Sequence, residues 1–256
     1  MRSRTVRRVA GVAILGLIAA ACGDDRSERA SRTATPVIDP SDGGNYDPDI
    51  NPADFVDVID NPYLPLTPGS RWVYEGESDG EVEHIEVVVT DQRRTVMGVE
   101  ATVVRDTVTD ATGELVEDTL DWFAQDRDGN VWYFGEESKD YEDGKVATTE
   151  GSWEAGVDGA LPGIVMPAEP TVGFAYRQEY YKGEAEDMGE VIRVGVSKTV
   201  AFGDFDGVVV TRDWNPLEPD VVEEKYYATG LGLIFETKTV GGDESVELIE
   251  YTGGEA

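Results

Sequence analysis

Val99-Glu-Ala-Thr-Val-Val-Arg-Asp-Thr-Val-Thr109, Asp110-Ala-Thr-Gly113, Leu115-Val-Glu-Asp-Thr-Leu-Asp-Trp-Phe-Ala-Gln125 and Asp126-Arg-Asp-Gly129 read in order as strand, turn, strand, turn. In each long run apolar and polar residues alternate, the period of a strand whose successive side chains point to opposite faces. The short runs end in glycine beside Asp or Thr and supply the backbone angles that tight hairpins need. The same grammar extends both ways. Residues 71–77, 82–91, 130–135, 145–153, 174–181, 191–200, 207–213, 221–228, 231–239 and 245–251 are further strands. They are joined by turn signals such as Ser78-Asp-Gly80, Glu142-Asp-Gly144, Asp204-Phe-Asp-Gly207 and Gly241-Gly-Asp243. No long amphipathic helix competes with them. About a dozen strands in an antiparallel meander must curl or close, so residues 61–256 are predicted to form one all-β domain, a curved open barrel or a sandwich with little helix.

One stretch breaks the pattern. Residues 150–190 hold Gly151, Gly156, Gly159, Gly163, Pro162, Pro167 and Pro170 and read as a long irregular insertion. Loops of that length inside compact domains are often functional. The aromatic and acidic residues in it, Trp153, Glu154, Tyr180, Tyr181, Glu186 and Asp187, are therefore the candidates for a ligand site. A curled sheet can hold a small ligand in its mouth, and Trp122, Trp132, Tyr133, Phe134 and Tyr176 are further aromatics able to line one. Adjacent pairs such as Tyr180-Tyr181 and Trp132-Tyr133 must point to opposite faces, so part of each set needs a cover other than the main core.

The amino terminus reads as an address. Arg2, Arg4, Arg7 and Arg8 precede an apolar run, residues 9–21, that ends in Ala19-Ala20-Ala21-Cys22. This is a signal peptide, too short for a permanent span of roughly 20 apolar residues. Cys22 is the only cysteine of the chain and sits just after the expected cut. The stretch resembles the lipobox of bacterial lipoproteins, with Ala19 where a leucine usually stands. The resemblance implies diacylglycerol on the Cys22 thiol and a membrane partner held through that lipid. An ordinary secretory signal cut at the same bond is the alternative. Residues 22–60, rich in Asp, Ser, Pro, Gly and Arg, read as a disordered tether whose last part, from Pro52, docks as a short helix.

The whole chain carries a net charge of −32, and the first 21 residues hold four arginines and no acid, so the chain from Cys22 onward carries −36. Such a surface excludes nucleic acid as a partner, because phosphate binding is driven by Lys and Arg. It also repels anionic membranes, which leaves lipid as the means of retention. With no second cysteine the folded domain relies on burial rather than disulfides.

Catalytic chemistry has few footholds. His84 is the only histidine and lies in a strand, with structural or solvent-facing surroundings. There is no Gly-rich phosphate loop, HExxH or GxSxG. Among 53 acids no pair stands out as the two carboxylates of a hydrolase. Calcium is the cofactor with some basis: Asp126, Asp128 and Asn130, followed by Glu136-Glu137, resemble parts of an EF-hand loop. Val131 stands where that loop needs glycine, and Val131-Trp-Tyr-Phe134 continues as a strand, so the same residues also read as a hairpin turn.

Two segments share a further resemblance. Asn61-Pro-Tyr-Leu-Pro-Leu-Thr-Pro-Gly-Ser-Arg-Trp-Val-Tyr74 is similar to the PL-x-x-G-x-x-W-x-Y opening of many bacterial lipoproteins and secreted all-β proteins of uncharacterised function. Lys225-Tyr-Tyr-Ala-Thr-Gly-Leu-Gly-Leu-Ile-Phe235 resembles their closing hairpin. The resemblance implies a curved antiparallel sheet on a lipid anchor and carries over no catalytic residue. The expectation is a non-catalytic, extracytoplasmic binding or structural protein with a small or lipidic ligand. A calcium-binding surface protein and a carboxylate-based hydrolase are the alternatives.

Overall fold

The structure, a computed structural model, describes residues 46–78 and 80–254. Cys22, the expected signal peptide and the first part of the expected tether lie outside the described residues. Sixteen strands account for most of the remainder: β1 (Phe55–Val56), β2 (Arg71–Ser78), β3 (Glu81–Val96), β4 (Val99–Asp110), β5 (Leu115–Asp126), β6 (Val131–Glu142), β7 (Lys145–Thr148) and β8 (Trp153–Glu154), followed by β9 (Leu161–Met166), β10 (Ala175–Arg177), β11 (Glu179–Tyr180), β12 (Met188–Val200), β13 (Gly203–Trp214), β14 (Val222–Ala228), β15 (Gly232–Val240) and β16 (Ser245–Thr252). The all-β antiparallel meander expected from alternation is what forms.

The order of strands across the sheet is β10-β12-β13-β14-β15-β16-β2-β3-β4-β5-β6-β9-β11. Its two ends, β10 and β11, are neighbours in the chain and are separated only by Gln178. One segment, residues 175–180, thus pairs with β12 through its first half, Tyr176 opposite Gly189, and with β9 through its second, Tyr180 opposite Leu161. This closes the meander into a barrel-like ring. The insertion at 150–190 is therefore less irregular than expected: it contains β8 to β11 and forms the seam of the wall. The single strand expected over 174–181 is broken at Gln178, where the chain leaves one partner for the other.

The seam demands close backbone approach, and two glycines allow it. A Cβ on Gly163 would sit 2.5 Å from the Arg177 carbonyl oxygen and would also collide with the backbone of Gln178. A Cβ on Gly189 would lie 2.7 Å from the Tyr176 ring and 2.9 Å from Gln178 Nε2. Only a residue without a side chain fits at such a crossing.

The opening and closing motifs meet across the ring. Trp72 and Tyr74 share the buried face of β2; the Trp72 indole Nε1–H donates to the Leu231 carbonyl at 2.8 Å and the Tyr74 hydroxyl donates to the Leu233 carbonyl at 3.1 Å. The inner face of β2, β3 and β16 is largely apolar, with Ile85, Val87, Val89, Val246 and Leu248 buried beside those two aromatics and Glu83 the one buried acid on it. The outer face carries ion pairs at mid-strand, among them Arg105–Asp118 at 2.7 Å and Arg193–Glu224 at 2.6 Å. A charged outer wall of this kind faces water; a lipid-facing barrel presents an apolar band there.

The last part of the expected tether is a strap on the outside of the barrel. Pro52–Asp54 is one turn of 3-10 helix capped by the Asn51 side chain, in place of the expected short helix, and β1 then pairs with the end of β5. Phe55 packs edge-on against Phe134 and Trp132, with ring centroids 5.5 Å and 6.3 Å apart. Ile59 is buried in the core cluster. Further back, the Tyr46 hydroxyl donates to the Pro162 carbonyl and its ring packs edge-on against Tyr180. The outward aromatics that needed a cover are thus covered by residues 46–59.

Substituting Gly163→Ala drives a methyl group into the Arg177–Gln178 backbone and is expected to destabilise the fold by about 2–3 kcal/mol, the usual cost of overpacking. Gly203→Ala, where the added carbon meets nothing nearer than 3.9 Å, should stay within about 0.5 kcal/mol of the parent. Urea denaturation measures both; equal midpoints would show that the crossing at Gly163 does not hold the ring shut.

Candidate functional site

Opposite the apolar side, the inner wall of the barrel is acidic. On β5 the buried positions alternate as Glu117, Thr119 and Asp121, and on β6 as Glu136, Ser138 and Asp140. Register sets them directly opposite one another, Glu117 facing Asp140, Thr119 facing Ser138 and Asp121 facing Glu136. Asp106 on β4 joins the same face opposite Thr119. Across the ring, β13, β14 and β15 contribute Asp213, Lys225 and Glu236, with Thr211 opposite Lys225 and Lys225 opposite Glu236. Among the described residues ten Asp and Glu side chains are buried, against two basic ones, Lys225 and Arg177.

Like charges set opposite each other in a sheet repel, and a buried carboxylate without a cation is costly. Protons relieve this. Burial raises Asp121 to about 7, with the Tyr133 hydroxyl, which donates to its Oδ1 at 2.7 Å, opposing and Glu117 adding to the rise. Burial and then the neighbouring Asp121 and Glu117 push Glu136 well above the usual carboxylate range. Burial and then Asp187 do the same to Glu179. Glu236 is raised to about 8 by burial, with Lys225 opposing. Lys225 itself stays charged: burial works against its ammonium, but Glu236 and Asp213, 3.8 Å and 3.4 Å from Nζ, outweigh it.

Between the apolar and acidic walls lies a cavity of about 100 Å³. Leu64, Trp72, Val87, Val104, Val165 and Leu231 belong to its apolar lining; Asp106, Asp121, Gln178 and Lys225 are its polar groups, with the rings of Tyr74, Phe123, Tyr133 and Tyr227 between them. Gln178, the break in the seam, reaches in and donates from Nε2 to Asp213 Oδ2 at 3.0 Å.

The six residues expected to bind a ligand do not border this cavity. Trp153 is buried edge-on against Tyr133, one layer behind the lining. Glu154 faces outward and forms an ion pair with Arg94. Tyr180 packs on Tyr46 and under the Arg177 guanidinium, 4.6 Å from the ring centre. Tyr181 bridges to Ala185, and Glu186 accepts from the Gly183 N–H at 2.9 Å to close the same turn. Asp187 is buried beside Glu179 and accepts from Asn215 Nδ2 at 3.1 Å. Of the other aromatics named from sequence, Tyr133 alone lines the cavity. The rest are core or wall, because a ring this wide draws its lining from strands far apart in the chain.

Asp126, Asp128 and Asn130 sit in the hairpin between β5 and β6. The Asp126 carboxylate accepts from Asn130 N and Nδ2 and from Trp132 Nε1 at 2.7–2.9 Å, and Asn130 Oδ1 accepts from the Ala168 N–H. The side-chain oxygens of Asp126 and Asn130 hold the turn, and among the described residues no three acid, His or Cys side chains gather as a metal site. His84 is exposed on β3. What sequence reading missed is the acid-x-hydroxyl-x-acid spacing repeated in two consecutive strands, Glu117-x-Thr119-x-Asp121 and Glu136-x-Ser138-x-Asp140. That signal marks a polar inner face.

No protein-family model matches the chain, and no curated protein matches it. Among solved structures it resembles a candidate exported protein with a YmcC-like fold from Bacteroides fragilis, at 16% identity and a TM-score of 0.44, over 75% of this chain and 99% of that one. It also resembles a candidate lipoprotein from Parabacteroides distasonis, at 13% identity and a TM-score of 0.41, with the same coverage of both chains.

Because these buried carboxyls bind protons more tightly folded than unfolded, the stability they confer is complete below about pH 4. It is lost as pH rises through about 7 for Asp121 and about 8 for Glu236. The melting temperature is therefore expected to fall steadily between pH 5 and about pH 8. Asp121→Asn keeps an acceptor for Tyr133 and should flatten that fall by the share of one proton, at most about 1.4 kcal/mol per pH unit. Calorimetric scans across the interval test both; a melting temperature that rises with pH would mean the carboxyls are ionised in the folded protein.

Proposed function

We propose that this chain is a non-catalytic, lipid-anchored binding protein that works outside the cytoplasm and takes a small or lipidic ligand into the barrel. The observation that carries this reading is the cavity between the apolar wall and the acidic wall. Ligand sites of proteins combine apolar surface with a few placed polar groups, and this cavity has that composition. Its volume is somewhat below the roughly 150 Å³ of a cavity that holds benzene. A ligand of that size seats a head group and a few carbons inside.

Export and anchoring rest on the sequence. The arginines, the apolar run and Ala19-Ala20-Ala21-Cys22 support cleavage ahead of Cys22 and a diacylglycerol on its thiol. At −36 the mature chain is repelled by anionic surfaces, so lipid rather than charge would keep it there. Partners on this reading are the membrane, through the lipid, and the barrel's ligand.

Two measurements test the proposal. Mass spectrometry of the mature amino terminus should find an acylated Cys22; an unmodified cysteine on a freely released protein removes the anchor. Native mass spectrometry of the gently extracted protein should find a small bound molecule, which the cavity-filling Val104→Phe variant no longer carries. A bare mass for both proteins, together with no gain in melting temperature from any alkyl compound, removes the binding function.

A further inference from the structure

The binding reading leaves open what the guest is, and the polar groups of the cavity narrow the choice. Beside the tyrosine hydroxyls, the polar side chains of the lining are Asp106, Asp121, Gln178 and Lys225. Each of the four is already engaged within the protein. Asp121 accepts from the Tyr133 hydroxyl at 2.7 Å, and Gln178 Nε2 donates to Asp213 Oδ2 at 3.0 Å. Lys225 Nζ lies 3.4 Å from Asp213 and 3.8 Å from Glu236. Asp106 has an interaction of its own. Donors of the ring side chains are committed as well, Trp72 Nε1 to the Leu231 carbonyl and the Tyr74 hydroxyl to the Leu233 carbonyl.

A guest of either charge is therefore poorly received. An ammonium would share the cavity with Lys225 and would have to compete with Tyr133 for Asp121. A carboxylate or phosphate would meet Asp106 and Asp121, while the one cation able to answer it already has two acids beside it. Burying a charge without a free counter-charge costs far more than burying a neutral group. Burial also raises Asp121 to about 7, so that below neutral pH a proton balances this carboxyl and no bound cation is needed.

Size sets the second limit. Leu66, Val87, Val104, Phe123, Val165 and Leu233 give most of the remaining lining an apolar character. A cavity of roughly 150 Å³ holds benzene, so one of this size holds about four or five non-hydrogen atoms. A long acyl chain does not fit.

Resting on the ligand-binding reading above, we propose that the cavity selects a small uncharged molecule, a short alcohol, ketone or hydrocarbon, with its apolar body against Trp72, Val87 and Val104, in preference to ions and to long-chain lipids. A single hydroxyl or carbonyl on the guest is acceptable, because a carboxyl that holds its proton can donate a hydrogen bond as well as accept one.

The test compares 1-butanol, butylamine and butanoate, one chain length with three head groups, at pH 6.5, where the second is an ammonium and the third a carboxylate. The protein is the chain from residue 22 onward with Cys22→Ser, which removes the acyl site and leaves every described residue intact. Shifts of the Trp72 indole and Gln178 side-chain amide signals in proton–nitrogen NMR spectra report occupancy at the cavity itself. Butanol is expected to bind at least tenfold more tightly than either ion, and 1-octanol no more tightly than butanol. Val104→Phe, its folding checked by melting temperature, should abolish the shifts; Val104→Ala, which adds room, should improve the binding of 1-hexanol relative to butanol. If butylamine or butanoate binds as tightly as butanol, the assignment of an uncharged guest is overturned while the binding function stands. If octanol binds tenfold more tightly than butanol, the guest is lipidic and the size assignment falls. If none of these compounds binds, both the assignment and the binding function fail.

Discussion

The constraint on which the rest of the structure depends is the closure of the ring by residues 175–180. A meander of this length cannot stay flat, and an open one leaves two edges with unpaired backbone groups. Here one short segment bridges the two edges, pairing with the start of β12 before Gln178 and with the start of β9 after it. Gly163 and Gly189 are small because this segment passes over them, and Gln178 faces inward because it is the residue at which the partner changes. Residues 150–190 look irregular only because a seam is made of short pieces.

Ring size then governs what the interior contains. Small barrels fill their inside with aliphatic side chains, whereas wider ones leave space that must be polar, wet or occupied. The path through this sheet has thirteen strands, of which the first and last are two halves of one segment. The interior divides accordingly. On β2, β3 and β16 it is packed mainly with aromatics and branched aliphatics; on β4 to β6 and β13 to β15 carboxyls, hydroxyls and one lysine stand among the apolar side chains. Carboxyls opposite one another are tolerable when they hold protons, and Glu179 beside Asp187 shows the same arrangement at the seam, each raised by burial above the usual carboxylate range. Such an interior is costly to build for stability alone, since apolar residues of similar volume would serve as well. That is the physical reason to look for a role in recognition.

Most of the strand plan was legible because alternation and Asx-Gly turns are local signals. The opening Trp72 and Tyr74 and the closing Leu231 and Leu233 were recognisable as a bracketing pair, and the barrel joins them by hydrogen bonds. The direction of the faces was not legible. In 115–125 the polar set Glu117, Thr119 and Asp121 would ordinarily be assigned to solvent and the set with Trp122 to the core, yet the acids point inward and Trp122 is covered on the outside by Arg94, 3.9 Å from its ring centre. Alternation reports a period and carries no sign. The site was hidden for a related reason: its lining comes from β2 to β6, β9, β14 and β15, with Gln178 between β10 and β11, and the aromatics of the insertion that drew attention stand behind it.

The strap at residues 46–59 has a mechanical meaning. Tyr46 is joined to Pro162 on β9 and packs on Tyr180 on β11, the two strands that meet at the seam. Tension transmitted along the chain from ahead of residue 46 would arrive first at that joint and pull across it, peeling one short stave from another before loading the long hairpins. Opening that joint would leave β12 to β16 and β2 to β6 still joined through the β16–β2 pairing, so the ring would unroll as one curved sheet.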